Sequence, residues 1–208
     1  MKSSGAAEFF RDLISMRWYL AVSLLLFAGG FAFGGAASDA LGAQLENALA
    51  PLRGTVERME ALGHAQVRLF VFIFINNFLK AILAVFLGAL FGLFPVVFLV
   101  SNGMLLGYVV ASIKAAGLDV ADSVIRGLLP HGVLEIFAIL VAAAYGLRYG
   151  VLVGSELVTA LRRRGYGGSG GKIREFHAGL KRLAAFLFFA LLTAAFIEST
   201  VTYMLVRG

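Results

Sequence analysis

The chain has 208 residues, 60% of them hydrophobic and only 14% charged; a soluble domain of this size has no interior large enough to hide that apolar excess, so the bilayer is its solvent. Cysteine is absent, which excludes a disulfide framework and a thiolate site. The net charge of +6 gathers at helix ends without aromatic–basic interleaving, so it bears on membrane orientation and not on nucleic acid.

At roughly 20 apolar residues per crossing, this length holds about five spans and no separate globular domain. The expected fold is therefore one polytopic, all-α membrane domain over residues 1–208, with short interfacial helices and a cytoplasmic N-terminus. Phe9, Phe10, Leu13 and Ile14 predict an interfacial helix at the start. The first span follows at about 18–36, opened by Arg17, Trp18 and Tyr19 at the membrane interface. Ala36-Ala37-Ser38 resembles a signal cleavage site. The apolar run before it is longer than the roughly 7–15 residues of a signal core, so an uncleaved anchor is expected.

Residues 41–62 predict a helix outside the bilayer. Leu45, Leu49, Leu52, Val56 and Met59 alternate spacings of four and three, which makes one apolar stripe. Pro51 either kinks this helix or starts its second half. The stripe lies on the membrane surface or on the protein's own helix tips, or else it is a docking face for an extracytoplasmic partner or a second copy.

Spans two and three are expected at about 67–87 and 95–113, a tight antiparallel hairpin. Asp119 and Asp122 ahead of Val124, Ile125, Leu128 and Leu129 predict a short half-helix that ends at Pro130. Span four is expected at about 130–150, with its apolar pattern running toward Leu161, and span five at about 183–206. Between them, 162–182 reads as a basic hinge: Arg162, Arg163, Arg164, Lys172, Arg174, Lys181 and Arg182 face a lone Glu175. The positive-inside rule places it in the cytoplasm. Alternation then puts 37–66 and 114–129 outside the cell. The hinge glycines, Gly165 to Gly171, lack the lysine and hydroxyl of a phosphate-binding loop. Ile173, Phe176 and Leu180 predict a short basic helix lying on the membrane surface.

Glycines recur four apart as Gly30 and Gly34, Gly88 and Gly92, Gly103 and Gly107, and Gly146, Gly150 and Gly154. Such pairs let helix backbones approach closely in lipid. Packing within the chain is the simpler use, and a homo-oligomer is also compatible.

Polar side chains inside the spans are the informative exceptions: Asn76, Asn77 and Lys80 in span two, Asn102 in span three, His131 and Glu135 in span four, Glu198 in span five. Their positions predict a polar layer from the midplane toward the outer surface. His131 and Glu135 are four apart and share a helix face. Such residues lock helices together, line an ion or proton path, or do chemistry. The spacing is not that of His-Glu-x-x-His, and the three histidines, His64, His131 and His177, are scattered, which argues against a three-histidine metal site. No nucleophile and oxyanion pair is evident. Neither catalysis, a metal nor a cofactor is therefore expected.

Asn76-Asn77, the stretch Pro95 to Gly107 with Asn102-Gly103-Met104-Leu105-Leu106-Gly107, and Leu129-Pro130-His131-Gly132-Val133-Leu134-Glu135 together resemble the stage II sporulation protein M family. The glycines Gly30 to Gly35 and Glu198 fit the same pattern, which covers nearly the whole chain. The resemblance implies a multi-pass plasma-membrane anchor, since in spore formers the family member works with two cell-wall-degrading partners during forespore engulfment. The expected function is thus a non-enzymatic, self-associating scaffold that recruits extracytoplasmic cell-wall hydrolases. The rival expectation is a small ion or proton transporter or channel built on the Asn/His/Glu layer.

Overall fold

A computed structural model describes residues 5–61, 65–163 and 170–202, and every regular element among them is helical. In chain order these are α1 (Gly5–Ser15), α2 (Arg17–Ala36), α3 (Ser38–Ala61), α4 (Ala65–Phe86), α5 (Leu93–Ala115), α6 (Val120–Ser123), α7 (Leu129–Arg163) and α8 (Gly170–Ile197). A 3₁₀ turn at Leu87–Ala89 follows α4, and π turns at Val124–Leu128 and Glu198–Thr202 precede α7 and follow α8. Five helical segments are long and apolar enough to cross a membrane: Arg17–Ala36, Gln66–Ala89, Leu93–Ala115, Val120–Arg162 and Ile173–Thr200. The end of the last expected span, His64 and Arg164 to Ser169 of the glycine hinge lie outside the described residues.

The central element is α7. Ala138, Val141, Ala142, Ala143 and Ala144 are fully buried along it, and α2, α4, α5 and α8 all pack against it. Small side chains at these positions let four neighbours approach one helix, and close van der Waals packing is what associates helices in lipid. Two glycine seams complete the bundle. Along α2 and α5 the backbones run parallel and nearly touch: a Cβ on Gly30 or Gly34 would strike the carbonyl oxygen of Val100 or Met104. One on Gly103 or Gly107 would strike that of Phe27 or Phe31. The second seam joins the end of α4 to α7, where Gly88 lies on Gly146 and Gly150 lies on the Gly92 amide. The recurring glycines of the sequence are therefore packed inside this chain.

Three local readings of the sequence change. The segment before Pro130 is not a half-helix that stops at the proline. It passes through the π turn, with the Leu129 amide bonded to Val124 O, and Pro130 becomes the second residue of α7. A π turn shifts the hydrogen-bond register by one residue, and the missing donor of Pro130 falls directly after that shift. Residues 170–182 are not a hinge and surface helix but the first turns of α8. Phe176 is buried and stacks on Tyr149 with ring centroids 4.9 Å apart, so the face of Ile173, Phe176 and Leu180 meets protein. Finally, α1 lies on α8 and not simply on lipid: Phe9 stacks on Phe186 at 4.8 Å. Arg182 reaches Glu8 at 3.0 Å and Asp12 at 2.8 Å, while Phe10 and Ile14 remain exposed.

Pro51 sits within an uninterrupted α3. This helix folds back on α4 and α5, with Leu45 buried and Glu46 accepting a 3.4 Å hydrogen bond from the Tyr108 hydroxyl.

Candidate functional site

Polar side chains from three helices meet in one place. On α7, Leu129-Pro130-His131 opens a helix whose 3.6-residue period sets His131 and Glu135 one above the other. On α4, Asn77 lies 11 residues past Gln66, about 16 Å along the axis, near the middle of a roughly 30 Å hydrocarbon layer. The Asn77 amide donates a hydrogen bond to the Glu135 carboxylate, and its oxygen accepts one from the Asn76 amide at 3.2 Å. From the end of α8, the π turn begins at Glu198, whose Oε1 lies 4.0 Å from His131 Nε2. His131 is buried, while Glu135 and Glu198 are half-buried. Donor atoms of His131, Glu135 and Glu198 all lie within 4.8 Å of one another.

Beside this group is a cavity of about 380 Å³, lined by Asn77, Asn102, His131 and Glu135 together with apolar side chains of α2, α5 and α7. Asn102 borders the cavity but donates its hydrogen bond to Phe98 O, one turn back in its own helix, at 2.7 Å. Asn76 joins the group through Asn77. Lys80 is exposed and makes no ion pair among the described residues, though its charge acts on Glu135. The structure thus brings together Asn76, Asn77, His131, Glu135 and Glu198, sets Asn102 at the edge, and leaves Lys80 exposed beyond direct contact.

The arrangement has the donor set of a cation site, one imidazole and two carboxylates, which a tally of histidines does not reveal. Glu135 four residues after His131 was the sequence signal for half of it. Glu198 lies 63 residues further on, and its approach depends on how α8 returns along α7.

The stripe on α3 divides differently. Leu45 is covered by this chain's own helices and Leu49 is half-buried. The side chains of Leu52, Val56 and Met59 lie outside the described residues. The face of α3 that stays open carries Gln44, Asn47, Ala50 and Arg58.

Compared with known proteins, residues 22–203 match the model of the family described as Stage II sporulation protein M. The match begins within the first of the five helices long and apolar enough to cross a membrane, runs through the other four and includes every residue of the polar group. Neither the curated proteins nor the solved structures give a match.

Proposed function

The chain belongs to the stage II sporulation protein M family, and from that premise we propose that it is a non-enzymatic scaffold of the plasma membrane that holds cell-wall hydrolases at the outer surface. The observation that carries this reading is α3. It is a helix of 24 residues, yet it is not apolar enough to be counted among the crossing helices. It is fixed to the bundle by buried Leu45 and by Tyr108, so its open polar face keeps a set orientation. A rigid helix tied to a membrane bundle suits capture of a protein partner, because little further ordering is needed on binding.

The positive-inside rule supports the orientation this requires. Arg162, Arg174, Lys181 and Arg182 gather at the end of the bundle formed by α1, the close of α7 and the opening of α8. That end is then cytoplasmic and α3 is outside. The glycine seams are occupied within one chain, so self-association would use the remaining lipid-facing surface.

The test is a crosslinking pull-down from native membranes with wild type and with an Asn47→Glu/Arg58→Glu variant, whose changes lie on the open face of α3. Wild type should bring down wall hydrolases, and the variant should lose them while keeping its melting temperature. Recovery of the chain alone from wild type, or equal capture by the variant, overturns the reading.

A further inference from the structure

We propose that His131, Glu135 and Glu198 bind one divalent first-row transition cation of the zinc class, tying α7 to the end of α8 within the membrane. The proposal does not rest on the scaffold reading. It begins with charge. Two carboxylates in an apolar slab call for positive charge at close range, and the charge of Lys80, which acts on Glu135, sits on an exposed side chain that ion-pairs with neither among the described residues. The His131 imidazole lies beside them, its Nε2 4.0 Å from Glu198 Oε1.

Geometry is the second step. Ligand atoms bonded at about 2.0–2.2 Å to a tetrahedral ion lie roughly 3.3 Å from one another. The three donor atoms lie within 4.8 Å of one another, so they draw closer by up to about 1.5 Å to share one ion. Three protein ligands leave one position open, and the cavity of about 380 Å³ stands beside it. Mixed imidazole and carboxylate donors favour zinc, manganese or ferrous iron over calcium or magnesium, which prefer all-oxygen sites.

A further feature is what surrounds the ligands. Asn77 donates to Glu135, the kind of outer contact that orients a ligating carboxylate. The two π turns among the described residues, Val124–Leu128 and Glu198–Thr202, both border the group. Such turns cluster at functional sites because they re-aim side chains out of the regular helical register. Here one ends just before the helix carrying His131 and the other begins at Glu198.

The experiment uses the full chain, carrying no histidine tag, purified in detergent and stripped with chelator. Zn²⁺ is titrated by calorimetry, and Co²⁺ is added separately for its visible ligand-field bands. Wild type should take up one Zn²⁺ per chain, rise in melting temperature on loading, and give a Co²⁺ spectrum of nitrogen and oxygen coordination. Glu198→Gln and His131→Gln should each weaken binding at least a hundredfold. Asn77→Leu, which touches no ion, should weaken it about tenfold to a hundredfold. Glu156→Gln, away from the group on α7, should bind as wild type does. If a ligand variant fails to fold, the wild-type Co²⁺ spectrum and the Asn77→Leu titration decide. Absence of saturable Zn²⁺ binding in wild type, or binding unchanged in folded Glu198→Gln and His131→Gln, overturns the proposal.

Discussion

Asn77 and Asn102 have the same side chain, and both border one cavity, but their amides do different work. The Asn77 amide crosses from α4 to the Glu135 carboxylate on α7. The Asn102 amide returns to Phe98 O in its own helix, a carbonyl that the helix already uses. Asn77→Leu therefore leaves a half-buried carboxylate short of a donor. It should lower stability in detergent by about 1–2 kcal/mol, measured as a shift in the denaturation midpoint. Asn102→Leu removes no bond between helices and should cost about 0.5 kcal/mol or less. Equal losses from the two would show that the contact between α4 and α7 is not the stabilising one. That Asn76, Asn77, Asn102 and Glu198 fall on helices long and apolar enough to cross a membrane was legible in the sequence, from the apolar runs around them. Which asparagine reaches across was not, because that depends on how far each helix is turned about its axis. Lys80 illustrates the same gap: four residues from Asn76, it is exposed and makes no ion pair among the described residues, while its charge acts on Glu135 from a distance.

At the scale of elements, the helices approach each other as closely as their glycines allow. On α2, Gly29 and Gly34 differ only in direction. A Cβ at Gly29 meets nothing within 4 Å, whereas one at Gly34 would overlap the backbone of Met104. Gly29→Ala should thus be neutral or stabilising by up to about 1 kcal/mol, since alanine is the better helix former. Gly34→Ala must push α5 away and should destabilise by about 1–3 kcal/mol. The same denaturation assay reads both, and a Gly34→Ala chain as stable as wild type would mean that the α2–α5 seam is looser than described. The four-residue glycine spacing made close packing legible in the sequence. The pairing of α2 with α5, and of the end of α4 with α7, was not, because small residues specify how near two backbones come but not which two. The π turn ahead of Pro130 was illegible for another reason. Proline announces a missing donor, and both a helix break and a register shift accommodate it.

At the scale of the whole molecule, helix lengths exceed the membrane unequally. The 35 residues of α7 extend about 52 Å, some 20 Å more than the hydrocarbon layer. The 28 residues of α8 extend about 42 Å. Their excess is shared: Tyr149 stacks on Phe176, and Arg182 holds Glu8 and Asp12 of α1. A small helical head therefore stands at one end of the bundle, carrying Arg162, Arg174 and Lys181, while α3 stands at the other. Composition alone pointed to about five spans, but it could not show that residues 170–182, read as part of a hinge, open α8. The charge asymmetry between the two ends makes the orientation a direct test of the positive-inside argument. Because the chain has no cysteine, single cysteines report cleanly. Gln44→Cys on α3 and Arg174→Cys on α8 both replace exposed residues, so neither should disturb packing. In intact cells a membrane-impermeant maleimide should label Gln44→Cys and spare Arg174→Cys, and after permeabilisation it should label both. The opposite pattern would put α3 in the cytoplasm, out of reach of any wall enzyme, and would remove the scaffold reading while leaving the polar group and its proposed cation untouched.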